Sequence, residues 1–102
     1  MTEEAALREL AALIDAGGWR PLPGAPGMLV FMRMSSADWV DTLAVSGETT
    51  ALVERTNPEG VPVWRHIGTL TEVIAALRAL PAPGDVNAPR QAIPRNSADR
   101  NF

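Results

Sequence analysis

With 102 residues, 46% of them apolar, and a net charge of −3, the chain has room for one small domain, and no apolar run approaches the ~18 residues a membrane span needs. It contains no cysteine and a single histidine, which removes a disulfide framework, a thiolate nucleophile and the usual nitrogen and sulfur metal sites. All nine basic residues are arginine, as a GC-rich genome writes them, so no lysine amine is on hand for Schiff-base chemistry.

The first residues, TEEAALREL, are acidic and amphipathic rather than basic and then apolar as in a signal peptide, and a cytoplasmic location is the expectation. Leu7, Leu10, Leu13 and Ile14 recur at helical spacing, which predicts a helix over 3–16 capped by Gly17 and Gly18. The stretch WRPLPGAPG (19–27) is too rich in proline and glycine for helix or central strand and reads as a loop. Four strand candidates follow, at 28–34, 38–46, 49–56 and 61–67. Their links are short, so they form antiparallel hairpins, with turns at Ser46–Thr49 and Asn57–Gly60.

Thr69 and Glu72 make a capping box, and Leu70, Val73, Ile74, Leu77 and Leu80 then form the apolar stripe of a second helix that ends at Pro81. The expected fold is therefore α+β. It has an N-terminal helix, a four-stranded antiparallel meander sheet and a C-terminal helix packed on one sheet face, all within residues 1–84.

Residues 85–102 are a different material. Pro89 and Pro94 forbid a continuous helix, and the apolar content is too low to repay the entropy of ordering, so an extended or disordered tail is expected. Arg90, Arg95 and Arg100 recur at five-residue intervals, each followed by an amide. That step aligns on neither a helix nor a strand face, and suits an extended segment with arginines about 16 Å apart. Residues 1–84 carry six arginines against ten carboxylates, net −4, whereas the tail is net +1. An acidic body argues against binding a phosphate backbone, so no nucleic-acid partner is expected.

Strand pairing decides which side chains meet. If Gly47-Glu48 is a two-residue loop, Asp41 faces Glu54 and Trp39 faces Thr56; the next hairpin then sets Glu54 against Val63 and Leu52 against Arg65. One face would hold Trp39, Asp41, Leu43, Leu52, Glu54, Val63 and Arg65, and look outward with two opposed carboxylates. A slip of one residue instead puts Asp41 against Arg55 as a plain cross-strand ion pair. On the first strand Met28, Val30, Met32 and Met34 share one face, which fits either a strand covered on both sides or an adaptable methionine surface.

No catalytic constellation emerges. Ser35, Ser36 and Ser46 lack a nucleophile-elbow context, the carboxylates lack calcium-loop spacing, and GAPG at 24–27 precedes a strand rather than a helix. No metal and no cofactor are expected. The leading reading is a non-enzymatic protein-interaction module, of an adaptor, chaperone-like or immunity type, that binds another protein or a second copy of itself. Trp39, Asp41, Glu54 and Arg65 would form its face, and Arg90, Arg95 and Arg100 a docking tail. The alternative is a small-molecule binder or minor enzyme with a pocket between the sheet and the proline-rich loop, lined by Trp19, Arg33, His66 and Trp39.

Overall fold

The computed structural model describes residues 3–46 and 49–93. In chain order it has α1 (Glu3–Gly17), β1 (Arg20–Leu22), β2 (Leu29–Met34), a 3-10 turn (Ser36–Asp38), β3 (Val40–Val45), β4 (Ala51–Thr56), β5 (Pro62–Gly68) and α2 (Leu70–Ala79). The strands form one antiparallel meander in the order β1-β2-β3-β4-β5. The sheet thus has five strands rather than the expected four. The extra one, β1, lies within the proline-rich stretch read as a loop: Arg20, Pro21 and Leu22 pair with Met32, Phe31 and Val30. Proline is tolerated there because β1 is an edge strand.

Both helices cover the same face of the sheet. Ala6, Leu10 and Leu13 of α1, Leu70, Val73, Ile74 and Leu77 of α2, and Leu43, Val45, Ala51 and Val53 of the sheet form one buried cluster with Trp19. Each fully buried aliphatic side chain contributes about 1.5–3 kcal/mol. Leu7, expected in the stripe of α1, is 45% exposed, and the smaller Ala6 is buried instead. Gly18 takes the left-handed conformation at the end of α1 (φ 71°). A Cβ on Gly17 would come within 2.7 Å of the Trp19 indole, so glycine there lets the ring fold back against the helix end.

The start of α2 matches its sequence signature. Thr69 accepts from the Glu72 backbone and the Glu72 carboxylate accepts from the Thr69 backbone. The turn between β2 and β3 holds Ala37 and Asp38 both at positive φ (65° and 66°). That geometry usually recruits Asn-Gly, and an L-residue adopts it at roughly 1–2 kcal/mol.

Register is where the structure departs most from expectation. β3 meets β4 through Asp41↔Arg55, Thr42↔Glu54 and Leu43↔Val53. The hairpin is closed by Ser46 N donating to Thr50 O, 3.0 Å, which makes the loop one residue longer than the two-residue turn drawn from sequence. One extra residue turns every β4 side chain to the opposite face. β4 meets β5 through Glu54↔Arg65 and Leu52↔Ile67, with a bulge between Arg55 and Thr56, so neither Val63 nor Leu52 has the partner expected of it.

Candidate functional site

Alternation from this register assigns the two faces. The helix-covered face takes Phe31, Arg33, Asp41, Leu43, Val53, Arg55, Trp64 and His66; the other takes Val30, Met32, Met34, Thr42, Ala44, Leu52, Glu54, Arg65 and Ile67. Asp41 therefore lies under the helices, 4% exposed, and does not stand on an outward face beside Glu54. The physical reason is the cation supplied at its cross-strand position, since a carboxylate enters a core only with a charged, hydrogen-bonding partner.

Two arginines meet that carboxylate. Arg55, 1% exposed, donates Nε to Asp41 Oδ1 (2.7 Å) and Nη2 to Oδ2 (3.0 Å), and its Nη1 to the Pro81 carbonyl just beyond α2 (2.6 Å). Arg33 on β2 donates Nη2 to Asp41 Oδ2 (2.7 Å) and stacks with its guanidinium 4.7 Å from the centre of the Trp19 ring. The fork of Arg55 binds the carboxylate through two parallel bonds, the strong form of such a pair. Above this cluster opens a cleft of about 330 Å³, walled by Leu13 of α1, by Leu77, Arg78 and Leu80 at the end of α2, by Ala82 and Pro83, and by Arg33, Ser35, Asp41 and Arg55.

Asp41 thus accepts three hydrogen bonds from guanidinium groups, which engage most of its acceptor capacity. The Trp19 Nε1–H is buried with no acceptor among the described residues.

Of the residues expected to line a pocket, Trp19 and Arg33 come together and His66 does not. His66 sits on β5, three strands from β2, or about 14 Å at ~4.8 Å per strand. Its neighbour is the first turn of α2, where it helps lower the Glu72 carboxyl; the larger cause is the hydrogen bond from the Thr69 backbone. Arg55, Arg78 and Ser35 were not expected as site residues. Arg55 had a signal, because it is the β4 cation that a one-residue slip brings to Asp41. Arg78 had none, lying outside the apolar stripe of α2.

On the opposite face Glu54 and Arg65 pair across β4 and β5. Arg65 donates Nε to Glu54 Oε2 (2.7 Å), and its Nη2 reaches the same oxygen. Around them the face is apolar, with Met34 56% and Ile67 42% exposed. Trp39, half-buried, follows the β2–β3 turn, its carbonyl accepting from Ser35 N at 2.9 Å. Val63 is 5% exposed although it belongs to this side. Here the chain beyond α2 reaches β5, with Ile93 N donating to Pro62 O, 2.9 Å.

Residues 85–93, the first half of the expected tail, turn through Asp85 N→Ala82 O and Ala88 N→Asp85 O, and Arg90 donates to Asp85 O (3.2 Å). Arg95 and Arg100 lie outside the described residues. No group of three or more carboxylates and histidines is placed to hold a metal ion among the described residues, and none of their helices is long and apolar enough to cross a membrane. Comparison with protein-family models, curated proteins and solved structures finds no match to the chain.

Proposed function

We propose that this chain is a non-enzymatic protein-interaction module working in the cytoplasm, and that its bare sheet face pairs with a second copy of itself. The observation that carries this reading is the one-sided packing of the helices, which leaves Met34, Ile67 and Leu22 (39% exposed) on the uncovered side of the sheet. Methionine side chains adapt to an apolar partner surface. The centre of the face is self-complementary in charge: it holds one acid and one base, so a twofold axis can exchange Glu54 and Arg65 between copies, while the exposed Arg20 stands at the β1 edge beside Met32.

Its dimensions suggest weak association. Five strands at ~4.8 Å and about six residues at ~3.4 Å give at most roughly 450 Å² in projection, or about 900 Å² for a pair, and the three-residue β1 and the chain beyond α2 at Pro62 reduce it further, below the ~1,000 Å² that a specific interface normally clears. The tail fits as a supplement, since Arg90, Arg95 and Arg100 belong to a segment of net charge +1 that follows a body of net charge −4, and can reach the acidic surface of the second copy. Asp41 no longer belongs to that target, and Glu54 already has a partner.

Light scattering behind a sizing column, run over a range of concentrations, tests the reading. The mass should rise toward a dimer with concentration and largely persist in high salt, with only the tail's share weakened. The double substitution Met34→Glu, Ile67→Glu should return the chain to a monomer with an unchanged circular dichroism spectrum. A monomer at every concentration, or a dimer indifferent to that substitution, overturns it; a monomer that captures another protein would transfer the face to a foreign partner.

A further inference from the structure

We infer that the cleft over Arg33, Asp41 and Arg55 is a binding site for a small organic anion, an oxyanion head on an apolar body. It lies on the helix-covered side of the sheet and does not depend on the pairing of the bare face.

The argument begins with charge. A buried carboxylate needs one counter-charge, and Arg55 alone supplies it through two hydrogen bonds. Arg33 is therefore in excess, and the buried cluster is left with a net charge of +1. Arg78 adds a third guanidinium at the rim of the cleft. Against this stand the Pro81 carbonyl and the negative end of α2, which offset about half a unit charge. The cleft thus keeps a surplus of roughly one and a half positive charges, poorly screened at the buried Arg55 and reached by solvent at Arg33 and Arg78.

Donor capacity points the same way. A guanidinium carries five N–H donors and never gives up its proton. Among the described residues Arg33 spends one, on Asp41, and its side chain is 29% exposed. Trp19 holds the Arg33 plane from one side, so the fork is oriented before a ligand arrives and little rotamer entropy is lost on binding. A planar guanidinium with donors to spare suits a carboxylate or a phosphate.

The walls restrict what the anion is attached to. Leu13, Leu77, Leu80 and Pro83 are apolar, and the volume of about 330 Å³ lies at the small end of ligand pockets. Inorganic phosphate would leave those walls uncovered, whereas a single ring or short aliphatic chain bearing one oxyanion touches both halves of the cleft.

The test uses the full-length chain, observed through the Nε–H resonances of its arginines. Titration with benzoate or phenyl phosphate should move the Arg33 and Arg55 signals saturably, and benzyl alcohol, of the same shape without charge, should bind about tenfold more weakly or worse. Arg78→Gln removes a rim charge that makes no described hydrogen bond, so it should leave folding intact and weaken benzoate at least threefold. The inference is overturned if neither anion moves those resonances, if benzyl alcohol binds equally well, or if Arg78→Gln leaves the affinity unchanged.

Discussion

Asp41–Arg55 and Glu54–Arg65 are both carboxylate–guanidinium pairs between neighbouring strands, and they stand on opposite faces of one sheet. The side chains of the former are 6% and 1% exposed, those of the latter 24% and 18%. Asp41–Arg55 is roofed by two helices and reinforced by Arg33 and the Pro81 carbonyl; Glu54–Arg65 faces out between methionines and aliphatics. Identical chemistry therefore has two consequences. Beneath the helices the pair fixes register, because any other alignment of β4 would strand a charge in the core. On the bare face it maintains a charged centre in a surface that is otherwise mostly apolar, and contributes little to folding.

The contrast is sharpest when one partner is removed. Asp41→Asn leaves the buried Arg55 and the part-buried Arg33 without a counter-charge and should destabilise by about 3–5 kcal/mol, read from urea midpoints. Arg55→Met should cost less, about 2–3 kcal/mol, since Arg33 still neutralises Asp41 and the principal losses are charged hydrogen bonds. Glu54→Gln should cost about 1 kcal/mol or less, and less again in high salt. Equal losses for Asp41→Asn and Glu54→Gln would break the comparison, because burial would then not be what separates the two pairs.

Glu72 extends the series to an exposed carboxylate. The Thr69 backbone N–H holds its carboxyl below the ordinary glutamate value, with the Thr69 side chain and nearby His66 acting in the same direction. A depressed folded-state value means that the ionised group stabilises at neutral pH and that this contribution is lost as pH falls through the carboxylate range. The stability gap between the native chain and Glu72→Gln should therefore be small, and should close on acidification. A gap that widens in acid would reverse the sign and remove the capping role.

Much of this architecture can be read from local pattern. The capping box at Thr69, the stop at Pro81, the left-handed Gly18 and the turn at Asn57 each depend on a few adjacent residues, and the sequence carries them openly. β1 was hidden because Pro21 signals a break, and only an edge position makes it acceptable, which is a fact of topology rather than of the segment. The β3–β4 register turned on a single loop residue, too fine a distinction for turn composition. The burial requirement of Asp41 could have resolved it: Arg55 is the one β4 residue able to accompany that carboxylate into a core. The cleft was half legible. Trp19 and Arg33 do meet, but Arg78 and Pro81 join them from a helix end whose placement over β2 and β3 no short stretch encodes, and His66 falls three strands away.

The two outer strands share a detail with a consequence for handling the protein at high concentration. β1 contains Pro21 and β5 begins at Pro62, whose carbonyl is occupied by Ile93. An open edge is a template on which another chain can add a strand and start a fibril. Here one border is three residues long and carries a residue without an amide hydrogen, and the other is partly spoken for by the chain's own continuation. Such borders discourage open-ended growth by strand addition.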